Sequence, residues 1–429
     1  MSRAPRTLDE WLDYQQRVHP RVIALGLERV GEVWNRLGSR RPAPVAITVG
    51  GTNGKGSTVA FLETILRANG LRVGAYTSPH LLRYNERVRT DGDLADDTSL
   101  VAAFERIETA RGDIALTYFE YGTLAAFELF ADAKLDVALL EVGLGGRLDA
   151  VNLIDADAAI VTTVDLDHQD WLGNDRDSIG REKAGIFRAD RPAIVGDVAP
   201  PQGLLDVATS IAADLRIAGR EFDWTIAADG WHWQSGSASL RLSLPALVGV
   251  CQFANAAAAI AALHALRDRI DWNERAIAHG IATAQAAARL QRVRVGEAGS
   301  ELVIDVAHNP QAARILADWL RANPASGRTI AVFGALADKD IASIVAALAD
   351  RFDVWHLASV GDAGPRGLSA SALRERAGEA LEHVQCSVHD TVEAALVAAT
   401  RTSTGNDRIV AFGSFHVAAP ALAFAQGML

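Results

Sequence analysis

The chain alternates short apolar runs with longer segments in which apolar residues recur every three or four positions. That is the pattern of parallel strands joined by crossover helices. Val45–Val49 is the first run and is rich in β-branched residues. It stops at a glycine cluster (Gly50, Gly51, Gly54 and Gly56), after which Phe61, Leu62, Ile65 and Leu66 fall on one helical face. Val137–Leu140 and Ala158–Val164 predict two more buried strands. Between Phe222 and Val250 the period drops to two: Trp231 and Trp233 share one side and His232 takes the other. With turn signals at Asp229-Gly230 and Ser235-Gly236, this stretch predicts a small antiparallel insertion. Helical periodicity returns from Asn255 to about Ala288. Its alanine-rich part, Ala254–Leu266, contains His264 and reads as a helix packed in a core rather than a membrane span. Arg289–Ser300 carries charges and glycines and reads as a hinge. Beyond it, strands are predicted at Leu302–Val306, Ile330–Phe333, Val354–Leu357 and Ile409–Phe412, with helices between. No short solenoid repeat is present.

Composition narrows this picture. A length of 429 residues exceeds one ordinary core, so two α/β domains are expected. A hydrophobic fraction of 49% with 22% charged residues fits a soluble globular chain. The net charge of −11 argues against a broad nucleic-acid surface, which needs a basic face. It does not argue against small anions, which a few placed basic groups can hold. Cys251 and Cys386 lie far apart and in no metal-ligand spacing, so both read as structural thiols. The N-terminal stretch MSRAPRTLDEWLDYQQR has no apolar signal core and carries Asp9 and Glu10, so a cytoplasmic location without membrane attachment is expected.

The chemistry concentrates at strand ends. Gly51, Thr52, Asn53, Gly54, Lys55, Gly56, Ser57 and Thr58 lie between a predicted strand and a predicted helix. Glycines there let backbone N–H groups close around phosphate oxygens, and the helix N-terminus adds a favourable dipole. Lys55 would reach terminal phosphates and the Ser57 hydroxyl would bind Mg²⁺, although Gly56 intervenes where the usual phosphate-loop spacing has none. Glu141 ends its apolar strand at the sheet edge where phosphate and Mg²⁺ lie in such folds, and a glycine-rich loop follows it. His168 follows the next strand. Asp165 and Asp167 beside it remain alternative cation ligands. Lys183 carries no functional mark of its own, and Asp305-Val306-Ala307-His308-Asn309-Pro310 doubles as a helix-start signal.

Taken in order, GTNGKGS, TSPHLLRYNERVR, TYFEYGTLAAF, EVGLGGRLDAVN, DHQDWLG, REKAGIF, DVAHNP and FGSFH resemble folylpolyglutamate synthase over nearly the whole chain. The likeness is closest to the bacterial bifunctional form that also makes dihydrofolate, a family that belongs with the Mur ligases. It implies a two-domain Mur-ligase-like α/β architecture. Residues 1–288 would form an N-terminal phosphate-loop ATPase domain carrying the pterin site, with a mostly parallel sheet. Residues 289–300 would be the hinge, and 301–429 a Rossmann-like glutamate-ligase domain.

The implied activity is ATP-dependent addition of L-glutamate to dihydropteroate and to folates through an acyl phosphate. ATP and two Mg²⁺ ions would be required, and a monomer is expected. By the same resemblance Lys55 holds ATP phosphates, Ser57 and Glu141 bind one Mg²⁺, and Ser78 shares a second with Glu141 and His168. Lys183 is the lysine the family carbamylates. Asn255, Arg289, Asp305 and His308 contact ATP, with Arg289 completing the phosphate cage. Phe119 and Asp149 lie on the pterin side, and Ser414 and His416 belong to a segment linked to glutamate. Two positions depart from the family: Val151 stands where Thr is frequent, and Asp165 stands where an apolar residue is common. A monofunctional folylpolyglutamate synthase is the first alternative. A cell-wall Mur ligase would need a sugar-nucleotide domain ahead of the phosphate loop, where about 45 residues are too few for a domain. A nucleotide-hydrolysing switch leaves the second α/β unit without a task.

Overall fold

The computed structural model describes residues 7–21, 23–382 and 384–428; the first six residues of the segment read for a leader lie outside it. The strands are β1 Val45–Gly50, β2 Val73–Tyr76, β3 Val88–Thr90, β4 Asp93–Leu94, β5 Val137–Glu141, β6 Ala158–Val161, β7 Pro192–Val195 and β8 Asp214–Ile217. They continue with β9 Asp223–Ala227, β10 Gly230–Ser235, β11 Ala238–Leu242, β12 Gln291–Val295, β13 Ser300–Ile304, β14 Thr329–Phe333, β15 Val354–Ala358, β16 Gln385–His389 and β17 Arg408–Phe412. Two compact units result. One comprises the chain up to Ala246 with Gln252–Gln285, the other Leu247–Cys251 with the chain from Ala286 onward.

In the first unit the sheet order is β4-β3-β2-β5-β1-β6-β7-β8. It is parallel except for β3 and β4 at one edge. β1 lies between β5 and β6 and is buried at every position, which is why its sequence is a continuous apolar and β-branched run rather than an alternating one. The chain leaves β1 toward β2 on one side and later returns as β6 on the other. The carboxyl ends of these central strands therefore flank a topological switch point, where a crevice opens. Helix Lys55–Ala68 is buried on more than the one face predicted, since Val59 and Ala60 are covered as well as Phe61, Leu62, Ile65 and Leu66. Helix Glu274–Thr283 covers part of it, with Gly280 seated against Ile65.

The predicted antiparallel insertion is the separate sheet β11-β10-β9, with Trp231 and Trp233 fully buried and His232 half-buried. Trp233 donates its indole N–H to Ala257 O at 3.2 Å, anchoring this sheet on the alanine-rich helix Cys251–Ala265. That helix is core. Among the described residues no helix is long and apolar enough to cross a membrane.

The second unit has the order β12-β13-β17-β14-β15-β16, parallel except for β12. Within residues 289–300, the segment read as a hinge, Gln291–Val295 forms an edge strand paired antiparallel to β13. Arg292 and Arg294 alternate there with Val293 and Val295, so the strand reads as a charged connection. Glu301 on β13 accepts from Arg292 Nε at 2.5 Å and from Arg408 Nε at 2.6 Å, which holds that polar face in register.

Candidate active site

The loop after β1 is stitched to the loop after β6. Thr52 N–H donates to Thr163 O at 2.8 Å, and Asn53 N–H donates to Thr163 Oγ1 at 3.1 Å. The Thr52 hydroxyl donates to Asp165 O and accepts from Asp165 N–H, both at 3.1 Å. Two glycines make this path possible. Gly51 has φ +138° and a Cβ there would overlap Thr162 Oγ1; Gly54 has φ +89° and a Cβ there would overlap Asn255 Oδ1. Asn255 thus lies directly on the loop, although it comes from a helix about two hundred positions away. Gly54 caps helix Lys55–Ala68, whose first-turn N–H groups and dipole face the loop. Lys55 Nζ donates to Gly51 O at 3.1 Å and Thr52 O at 3.3 Å, curling over the phosphate cradle. Thr58 Oγ1 is turned to Gly54 O at 3.0 Å and supports the cap.

Ser57 is buried, and among the described residues its hydroxyl has no hydrogen-bond partner. A buried hydroxyl without a partner costs about 1–3 kcal/mol, a cost relieved by a ligand that takes its lone pair. Glu141, buried at the end of β5, accepts the Ser78 backbone N–H at 3.1 Å, so two of the predicted metal-site residues meet. The Ser78 loop is held by residues of its own TSPHLLRYNERVR segment. Glu86 accepts from the N–H groups of Leu81, Leu82 and Arg83, and Arg87 Nε donates to His80 Nδ1 at 2.8 Å. The Arg87 guanidinium also lies 5.4 Å from the ring centres of both Tyr84 and Tyr118. His168 adopts the left-handed conformation at φ +52°, its Nε2 4.0 Å from Asp167 Oδ2. Asp165 and Asp167 each spend one oxygen on the next backbone N–H.

Among the described residues no three His, Cys, Asp or Glu side chains are grouped to hold a metal. The residues that fit a hard, oxygen-preferring cation are the orphaned Ser57 hydroxyl and Glu141, with Ser78 and His168 beside the same strand ends.

The glycines after Glu141 also have a structural reason. A Cβ at Gly143 would meet the Phe119 ring at 2.6 Å and Asp149 Oδ2 at 3.3 Å, so glycine lets these two predicted substrate residues come together. Phe119 sits in the first turn of helix Tyr118–Ala133, started by a capping box between Thr117 and Glu120. Asp149 accepts from Leu144 N–H at 2.8 Å and Val151 N–H at 3.0 Å. Burial outweighs these donors and the Lys55 charge, raising its carboxyl to about 6. Gly146 lets the carbonyls of Glu182 and Lys183 approach to within 3 Å of where its Cβ would be. Lys183 is thereby buried near Lys55, Asp167 and Asp149. Burial first, and then the Lys55 charge, lowers its amine to about 7, against the opposing pull of the two aspartates.

In the second unit the other predicted residues cluster at the carboxyl edge of the sheet. Asp305 follows β13 and accepts from Leu290 N–H and Ala307 N–H, both at 2.8 Å. Burial raises its carboxyl, while the charges of Arg289 and His308 oppose that rise. His308 Nδ1 lies 3.1 Å from Val306 O. Asn309 caps helix Pro310–Ala322, so the helix-start reading of that motif holds as well. Arg289 sits over the Phe415 ring at 5.7 Å, a contact that the sequence does not suggest. Ser414 donates to Gly334 O at 3.2 Å at the start of helix Phe415–Ala425, and half-buried His416 lies in that helix's first turn.

Residues 49–197 match the Mur ligase middle domain, and residues 288–415 match the Mur ligase glutamate ligase domain. The dihydrofolate synthase/folylpolyglutamate synthase of Escherichia coli (strain K12) is 46% identical over 97% of this chain and 95% of that protein. The solved structure of E. coli FolC in complex with DHPP and ADP covers 100% of both chains at 46% identity, with a TM-score of 0.92. A bifunctional folylpolyglutamate synthase/dihydrofolate synthase with Mn, AMPPNP and L-glutamate bound superposes at a TM-score of 0.89, with 45% identity over 99% of this chain and 98% of that one. The two Mur ligase domain matches and full-length identity of this degree place the chain in the dihydrofolate synthase/folylpolyglutamate synthase family of the Mur ligases.

Proposed function

We propose that this chain is a cytoplasmic, ATP-dependent carboxylate–amine ligase that joins L-glutamate to dihydropteroate and to folates. The observation that carries this reading is the Lys55 phosphate loop, followed in the same helical turn by the buried Ser57 hydroxyl that has no partner among the described residues, in a chain so similar to a bifunctional enzyme. A carboxylate oxygen is a poor leaving group, so the acid must first be activated. Its oxygen attacks the γ-phosphorus of ATP, an O–P bond forms, the bond to the bridging oxygen breaks, and ADP departs. The neutral amine of glutamate then attacks the acyl carbon, phosphate leaves, and the amine proton is released.

Lys55 and the first-turn N–H groups hold the β- and γ-phosphate oxygens and offset the charge that gathers on them. Ser57 and Glu141 would hold one Mg²⁺, and Ser78, Glu141 and His168 a second. When bound, Mg²⁺ supplies charge neutralisation at the transferring phosphoryl group. Asn255, Arg289, Asp305 and His308 serve the nucleotide. The Phe119 ring offers a face to the pterin, and Asp149 an acceptor. Ser414 and His416 serve glutamate.

Purified protein given dihydropteroate, L-glutamate and ATP is expected to form dihydrofolate and ADP in equal amounts, and to extend tetrahydrofolate with further glutamate. Extension without dihydrofolate formation would leave the monofunctional reading. Replacement of Ser57 by alanine is expected to raise the Mg²⁺ concentration for half-maximal rate by roughly tenfold or more. The thermal midpoint should not fall, because the lost hydroxyl has no hydrogen-bond partner among the described residues. An unchanged Mg²⁺ dependence would remove Ser57 from the metal site.

A further inference from the structure

The edge of the first sheet opposite the phosphate loop carries a second concentration of positive charge. Arg41 precedes β1, Asp155 and Asp157 precede β6, Arg188 and Arg191 precede β7, and Arg269 follows the alanine-rich helix. These residues line an open cavity of about 570 Å³. The six residues of β1 separate it from the loop that begins at Gly51, about 20 Å along a strand.

Asp157 has a structural task here. It is buried, its Oδ2 accepts Ala46 N–H at 2.9 Å, and its own N–H donates to Ala46 O at 2.8 Å, locking the starts of β1 and β6 together. One guanidinium would neutralise it, yet three surround it. Arg41 Nη2 is at 2.7 Å, Arg269 Nη1 at 2.7 Å and Arg191 Nη1 at 3.8 Å, outside hydrogen-bond range. Arg188 pairs with exposed Asp155 and also donates to Asn152 O at 3.1 Å and Gly185 O at 3.3 Å. The cavity therefore holds four guanidinium groups against two carboxylates, an excess of two positive charges in a chain of net charge −11. Arg41 also donates to Ala43 O at 3.1 Å and Asp155 O at 3.2 Å, and Arg269 to Pro44 O at 3.1 Å, whereas Arg191, half exposed, has among the described residues only its long approach to Asp157 and keeps its fork for solvent. Planar forks of this kind match the paired oxygens of a phosphate group.

We propose that this cavity is a second, non-catalytic anion site for a diphosphate-bearing ligand, with Arg191 as its least committed donor. The probe is inorganic pyrophosphate, titrated calorimetrically without Mg²⁺ into the full chain carrying Lys55→Ala, which disables the phosphate loop. One binding event per chain is expected to survive in that protein. Adding Arg191→Gln should weaken it roughly tenfold at an unchanged thermal midpoint, the effect of one lost charge-assisted contact. Arg191→Lys, which keeps the charge and loses the fork, should fall between the two and serves as the second variant should Arg191→Gln fail to fold. Absence of pyrophosphate binding in the Lys55→Ala chain, or equal affinity with and without Arg191, would overturn the site. Citrate binding as tightly as pyrophosphate would overturn the phosphate assignment.

Discussion

Replacing Lys55 with alanine is expected to lower kcat/KM for ligation by roughly 10³-fold, the scale on which removal of one preorganised cation or donor at a transferring group is felt. The Lys55 ammonium is fixed over the loop by Gly51 O and Thr52 O, so its position is set before ATP arrives and no reorganisation is needed as charge develops. The fold should tolerate the change. Two half-exposed hydrogen bonds to loop carbonyls are worth about 1 kcal/mol each at most. Against that loss, buried Lys183 is relieved of the neighbouring charge that helps to depress its amine. ADP release and glutamate incorporation should fall together while the unfolding midpoint stays within a few degrees. A variant that still makes ADP at the parent rate would show that another group holds the phosphates, and the loop reading would fail.

The legible parts of the molecule are those where a backbone demand selects a residue type. A left-handed or crowded backbone at Gly51 and Gly54 admits only glycine, so the phosphate loop is visible in the residue order alone. The continuous burial of β1, β5 and β6 likewise shows in uninterrupted apolar runs. Edge strands are harder to see, because one side of each faces solvent and takes polar residues. Hence β12, with its arginines, reads as a hinge, and β16, Gln385–His389, does not register at all.

In the site, the types of side chain are readable, but their commitments are not. That Asp149 serves the backbone of its own loop as well as facing Phe119 depends on which N–H groups the fold brings to it. Thr162 and Thr163, which brace the phosphate loop, follow an apolar strand like many threonines. Only their pairing with Gly50, Thr52 and Asn53 distinguishes them. The cation–π contact between Arg289 and Phe415 joins residues more than a hundred positions apart, and no local pattern encodes it.

Lys183 is expected to make activity depend on dissolved CO₂, with a midpoint near pH 7. Carbamylation forms an N–C bond between a neutral amine and CO₂, moves a C=O electron pair onto oxygen and releases the amine proton, so it requires the unprotonated lysine. An ordinary lysine presents roughly one neutral amine in a few thousand at pH 7. Burial and the Lys55 charge bring this one to about 7, where about half is neutral. Enzyme held at pH 6 in CO₂-free buffer should therefore lose most of its turnover and regain it on adding bicarbonate at pH 8. Lys183→Ala should be roughly 10²-fold slower than the bicarbonate-restored parent and should not respond to bicarbonate, and ¹³CO₂ should give a carbamate resonance in the parent that the variant lacks.

The same shift has a second consequence of fixed sign. Between pH 7 and the ordinary lysine range the unfolded chain keeps a proton that the folded chain has released, so stability rises with pH across that window. Below about 7 both states are protonated and the penalty for burying the charge is present in full. Lys183→Met, which keeps the bulk and removes the charge, should be more stable than the parent at pH 6, and its advantage should shrink as pH rises. If parent and Lys183→Met show the same pH dependence of unfolding, the buried amine is not perturbed, and the chemical basis for its carbamylation goes with it.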